Sequence, residues 1–157
     1  MNKTLEQTGS HNGAIQVHIG DEQIQFVYGG NQHILPFGDK SIAQKYFKPM
    51  PPTDAEIEYA IQEIEDELMT VAATITAQNL QPVSSDERIR EIAGYAGKQG
   101  EMSTADVEGV FSRFALIVRG RPASTDVLPL DSNFAAYLLI LREVMHHLKF
   151  SRLKVIK

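Results

Sequence analysis

The 157-residue chain contains no cysteine, which rules out a disulfide framework, a thiolate nucleophile and a zinc site built on thiolates. It has no run of about 18 apolar residues, so no membrane span is expected. The first 13 residues, MNKTLEQTGSHNG, lack the apolar centre of a secretory signal, and the expected location is the cytoplasm. A Gly-x-Ser-x-Gly nucleophile elbow is missing as well. Gly94, Gly97 and Gly100 are spaced by three, but no Lys-Ser/Thr follows them as a phosphate loop demands. The net charge of −5 offers no general attraction for phosphate backbones, and the basic tail has no aromatic platform beyond Phe150. Nucleic acid is therefore not expected as a partner. Internal repeats and low-complexity tracts are absent too.

What the chain does have is a strongly apolar stretch near its end, residues 131–148, DSNFAAYLLILREVMHHL. Asp131 or Ser132 is placed to cap a helix there, and Phe134, Leu138, Leu141, Met145 and Leu148 recur at the spacing of one helical face. Tyr137, Ile140 and Val144 add a second stripe beside it. So wide an apolar arc has to be covered on two sides, which predicts a central helix.

Earlier in the chain the period is two. Ile15, Val17 and Ile19 alternate with polar residues, a Gly20-Asp21 turn follows, and Ile24, Phe26 and Tyr28 alternate again before a Gly29-Gly30-Asn31 turn and a third strand ending near Pro36. Residues 40–47 read as a short helix, stopped by Pro49, Pro51 and Pro52. Thr53 and Glu56 form a capping box for a long helix through Ile75. A loop containing Pro82 leads to Ser84-Ser85-Asp86-Glu87, a second capping sequence, and a helix that Gly97 ends. A further helix carries Val107, Val110, Phe114 and Ile117, and after the central helix Leu153 and Val155 alternate enough for a short strand that joins the N-terminal sheet. The expected fold is α+β: a three-stranded antiparallel meander, then a four- to five-helix bundle, with a short C-terminal strand. Residues 1–13 are expected to be a mobile arm and 14–157 a single domain, with a strand-rich part (14–48) and a helical part (53–157).

Three features invite a chemical reading. Glu143 and His146 stand three apart on one helix, the spacing of carboxylate-bridged metal sites in helix bundles, although such sites need a second pair. His147 adjoins His146, but neighbours on a helix point about 100° apart, so the two imidazoles are not expected to share one site. His18 and His33 fall on predicted strands, with two readings open: a pair facing each other across the sheet, or, the commoner outcome, exposed strand histidines. Arg113, Arg119 and Arg121 read as helix-end arginines. The third feature is charge segregation. The long helix carries Glu63, Glu65, Asp66 and Glu67, with no Lys or Arg between Pro52 and Glu87, whereas Lys149, Arg152, Lys154 and Lys157 make the tail basic.

From these residues the first expectation is a small cytoplasmic interaction or regulatory protein without catalytic activity or cofactor. It would dock a protein partner, or a second copy of itself, through Glu63, Glu65, Asp66 and Glu67 and the basic Lys149, Arg152 and Lys154. The alternative is a small-molecule or metal-binding protein, an enzyme included, with a pocket near Glu143 and His146.

Overall fold

The structure is a computed structural model and describes residues 13–48 and 51–157. Apart from Gly13, the expected N-terminal arm lies outside the described residues.

The chain adopts an α+β fold built on one mixed sheet of six strands. These are β1 (Ala14–Ile19), β2 (Ile24–Tyr28), β3 (Asn31–Leu35), β4 (Gln81–Ser84), β5 (Glu101–Ser103) and β6 (Arg152–Val155). Across the sheet they run in the order β3-β2-β1-β4-β6-β5. The predicted meander is present: β2 lies antiparallel to β1 with Val17 opposite Phe26, and β3 antiparallel to β2 with Phe26 opposite His33. Alternation decides the faces, since Ile15, Val17 and Ile19 are buried while Ala14, Gln16 and His18 are exposed. On its other side β1 is parallel to β4, and β4 is parallel to β6, so the centre of the sheet consists of parallel strands. The C-terminal strand therefore joins the sheet as expected, but through β4. It is also the partner of β5, an antiparallel edge.

β4 stands where the sequence predicts a loop, and its Pro82 cannot donate a ladder hydrogen bond. It nevertheless lies between two neighbours, and the chain supplies a substitute donor. Gln81 Nε2 donates to the carbonyl of Arg152 in β6 at 3.1 Å, while the Gln81 backbone N–H serves the β1 side through Gly13. A side-chain amide thus satisfies a carbonyl on the side of the strand where the proline has no N–H to give.

Five helices complete the fold: α1 (Asp39–Tyr46), α2 (Asp54–Thr76), α3 (Glu87–Tyr95), α4 (Thr104–Val118) and α5 (Ser132–His147). The capping box of α2 is formed, with Glu56 N donating to Thr53 Oγ1 at 3.1 Å and Thr53 N to Glu56 Oε1 at 2.9 Å. Asp131 caps α5 through the amide of Phe134 at 2.7 Å. Eleven of the 16 residues of α5 are buried, and the helix touches α1, α2, α4 and strand β1, which makes it the shared spine of the core. No helix among the described residues is long and apolar enough to cross a membrane.

One close approach positions α1. The first amides of the helix, Asp39, Lys40 and Ser41, donate to the carbonyls of Gly20 and Asp21 in the β1–β2 turn. Gly38 lies so near that turn that a Cβ on it would stand 2.0 Å from the Gly20 carbonyl oxygen. Only glycine fits there, and its fit sets Asp39 against the C-terminal end of β1.

Candidate active site

Asp86 is the N-cap residue of α3, yet its carboxylate makes no capping hydrogen bond. An N-cap side chain ordinarily stabilises its helix by about 1 kcal/mol, so diverting it calls for another role. The carboxylate turns across to β1 and α5 instead. Its Oδ1 pairs with His18 Nδ1 at 2.6 Å, and its Oδ2 accepts from the Ile19 backbone N–H at 2.9 Å and from the Tyr137 hydroxyl at 2.6 Å. Ser84 Oγ accepts from the backbone N–H of Asp86 at 3.1 Å and fixes the turn that delivers it. Burial, with the neighbouring Asp86 carboxylate second, pushes the Tyr137 hydroxyl well above the ordinary tyrosine range. It therefore remains a neutral donor at any physiological pH.

The Asp86 side chain is only 9% exposed, whereas that of His18 is 58% exposed. The carboxylate is thus a buried mount and the imidazole its accessible head. Pairing through Nδ1 leaves Nε2 of His18 without a hydrogen bond among the described residues. This is how a carboxylate selects the tautomer and orientation of a working histidine.

His18 and Asp86 line a cleft of about 510 Å³ together with Asp39, Glu87, Arg88, Glu91 and Tyr137. The cleft opens outside the carboxyl ends of β1 and β4. β1 and β4 are parallel neighbours, and open α/β sheets bind ligands in crevices outside the carboxyl ends of their strands. Asp39 is buried, and desolvation raises its pKa, helped by the charge of Asp21. Four carboxylates face one guanidinium and one imidazole, so a bare anion would be repelled. A cation, or an anion carried by a divalent cation, fits this lining.

Sequence reasoning missed this site. His18 had been read as an exposed strand histidine and Asp86 as a plain cap, and nothing in the local pattern joins residues 68 positions apart. His33 does not face His18, because β2 lies between their strands; it pairs with Tyr28 Oη at 3.1 Å. Arg113 clamps Asp126 through two hydrogen bonds of 3.0 and 2.7 Å and donates to the Tyr95 carbonyl, a structural tie between α4 and its surroundings. The Arg113 guanidinium holds the Asp126 carboxyl down to about 2.

Four of the residues expected to dock a partner, Glu63, Glu65, Asp66 and Arg152, make contacts within the chain. Glu63 accepts from Lys45 Nζ at 2.6 Å and from the Tyr46 hydroxyl at 2.5 Å. Burial alone would raise its pKa, but these two donors hold the carboxyl below its usual value. Glu65 lies 3.3 Å from His147 Nε2, and Asp66 accepts from Gln62 of its own helix at 3.2 Å. Glu67 is half-buried and Lys149 and Lys154 are exposed. Arg152 reaches Glu101 of β5 at 3.3 Å. The carboxylates of α2 are thus answered in part by α1 and α5. Glu143 and His146 do approach each other, and His147 joins them, but the cleft described above is lined by other residues.

No family model matches the sequence, and no curated protein matches it. Solved structures do match the fold. A Ppx/GppA phosphatase of Aquifex aeolicus, its type II variant, superposes with a TM-score of 0.75 at 18% identity over 92% of this chain and 53% of its own. A second A. aeolicus structure, a PPX-GPPA enzyme, gives 0.67 at 17% identity over 90% and 52%. An exopolyphosphatase-like protein gives 0.71 at 12% identity over 92% and 54%. This chain shares their fold. It spans about half the length of each of these structures. The likeness corrects the expectation of a non-catalytic docking protein whose main role is protein binding, since the matching folds are those of phosphatases.

Proposed function

We propose that this protein hydrolyses a phosphorylated small molecule, an ester or an anhydride, bound as its divalent-cation complex in the cleft between the ends of β1 and β4. The observation that carries the reading is the Asp86 carboxylate, which forgoes its helix cap to orient His18 at the cleft. Support comes also from the fold, shared with phosphatases, and from the acidic lining.

His18 Nε2 takes a proton from a water molecule as the water oxygen attacks phosphorus. The bond from phosphorus to the leaving oxygen breaks, and that oxygen receives a proton from the imidazolium or from solvent. Asp86 stabilises the imidazolium, and Tyr137 with the Ile19 amide keeps Asp86 in place. Asp39 and Glu87 are the carboxylates placed to hold the cation, and Arg88 is the one guanidinium available to a phosphate oxygen. A cytoplasmic location goes with this reading, supported by the lack of cysteine.

The test is phosphate release from p-nitrophenyl phosphate and from inorganic polyphosphate, with and without Mg²⁺. Release should depend on Mg²⁺ and fall by about 10²–10⁴-fold in His18→Asn, the range for loss of a general base. The melting temperature of that variant should stay near that of the parent, because His18 is largely exposed. A parent protein that releases no phosphate from either compound, or a His18→Asn variant of full activity, overturns the proposal.

A further inference from the structure

We infer that the last turn of α5, together with Glu65 of α2, is a binding site for one divalent transition-metal ion of the zinc class. It lies apart from the cleft, ten residues and about 15 Å along α5 from Tyr137. The donor atoms of Glu143, His146 and His147 all fall within 4.8 Å of one another. The two imidazoles, expected to diverge, stand with their centroids 4.8 Å apart at the point where the helix ends on Leu148.

The contacts of His147 Nε2 point to an ion. This single nitrogen lies 3.0 Å from Glu143 Oε1 and 3.3 Å from Glu65 Oε2. Of the two, Glu143 accepts a hydrogen bond from the ring, whereas the Glu65 oxygen lies beside the same nitrogen without one, so one imidazole nitrogen draws two carboxylates but has a single proton to give. A tetrahedral zinc ion with bonds of about 2.0–2.2 Å separates its ligand atoms by roughly 3.3–3.5 Å. The two separations at His147 Nε2 are close to that spacing, and the His146 donor, within 4.8 Å of the others, would draw in when an ion binds.

The support around the site has the form such centres use. Glu143 is buried, and its other oxygen accepts from Arg142 Nη1 at 3.0 Å. Arg142 is itself held by Glu108 from α4 at 3.0 and 3.2 Å and lies over the Phe111 ring. One carboxylate oxygen is thus anchored and the other is presented to the histidines, as the outer partners of a metal ligand do. Two imidazoles and two carboxylates suit zinc and its neighbours in the first transition row better than magnesium, which prefers an all-oxygen shell.

Calorimetric titration with Zn²⁺ of the chelator-treated full chain carrying Asp39→Asn and Glu87→Gln, which removes the proposed cation ligands of the cleft, should show one ion per chain, with a matching rise in melting temperature; the variants below are made in that background. Co²⁺ in its place should give the visible absorption of a tetrahedral centre. His146→Ala and Glu65→Ala, both at accessible positions, should each weaken binding by about tenfold or more. His146→Ala combined with His147→Ala should abolish it. Restoring Asp39 and Glu87 should leave the binding at this site unchanged, which separates it from the cleft. Absence of saturable binding at one ion per chain, or binding that persists in the double histidine variant, overturns the inference.

Discussion

Helix α5 serves two histidine–carboxylate pairs, and they differ in what each leaves free. At the Tyr137 end, Asp86 holds His18, a residue lining the cleft, by Nδ1 and leaves Nε2 without a hydrogen bond among the described residues. At the other end, Glu143 holds His147 by Nε2, the same nitrogen that Glu65 approaches. His18 has a side chain 58% exposed, His147 one 15% exposed. The first arrangement suits proton transfer to an incoming water. The second uses up the nitrogen that would do such work and suits a fixed ligand. The teaching of the pair is that a His–carboxylate contact identifies no function until the second ring nitrogen is accounted for.

The largest expected difference is in stability. Asp86→Ala would leave the Tyr137 hydroxyl and the Ile19 N–H without an acceptor inside the fold, at about 1–3 kcal/mol each, so a loss of about 3–5 kcal/mol is expected. Glu143→Ala leaves Arg142 still bonded to Glu108 and His147 still beside Glu65, and its loss should be smaller, about 1–2 kcal/mol. Urea unfolding of the two variants checks the order. Equal losses would show that the two carboxylates are mounted alike.

A smaller effect sharpens the comparison within the first pair. Tyr137→Phe removes one of the three donors to Asp86 and should cost about 1 kcal/mol. Tyr137 lines the cleft, but the proposed step assigns its hydroxyl only to Asp86. Phosphate release should therefore fall in kcat more than it changes in KM, with the pH profile of kcat shifted because the imidazole is less firmly oriented. Unchanged kcat would detach Tyr137 from the working of His18.

How much of this was legible beforehand follows from where the information lies. The meander and α5 were readable because alternation and helical spacing are properties of neighbouring residues, as at Ile15, Val17 and Ile19 or at Phe134, Leu138 and Leu141. β4 was hidden by Pro82, whose missing donor is made good by a side chain no strand pattern includes. The cleft was hidden for a stronger reason. Asp86 sits in a perfect capping sequence, and only the folded chain shows that the cap is unused. The acidic face of α2 misled in the opposite way. Its carboxylates looked unanswered because no base lies near them in sequence, whereas Lys45 and His147 reach Glu63 and Glu65 from other helices.

The smallest expected effect has the opposite sign from the others. Burial raises the pKa of Asp39, so the folded chain holds that proton more tightly than the unfolded chain does. Stability from this group is present in full below the unfolded value near 3.8 and is lost as pH rises through the higher folded value. At neutral pH the ionised Asp39 thus works against folding, and Asp39→Asn should raise the melting temperature slightly. The gain should vanish below about pH 4, where Asp39 is protonated in both states. Mg²⁺-dependent phosphate release should fall in the same variant, because an amide is a poorer ligand for a hard cation than a carboxylate. A residue whose removal stabilises the fold and weakens the reaction is retained for the reaction. Glu63 of α2 offers a contrast, since Lys45 and Tyr46 of α1 hold its carboxyl below the usual value and Glu63→Gln should lower stability at neutral pH. Melting curves of Asp39→Asn and Glu63→Gln across pH 3–8 therefore separate a carboxylate kept at a cost from one that helps hold the fold, and parallel curves would remove the distinction.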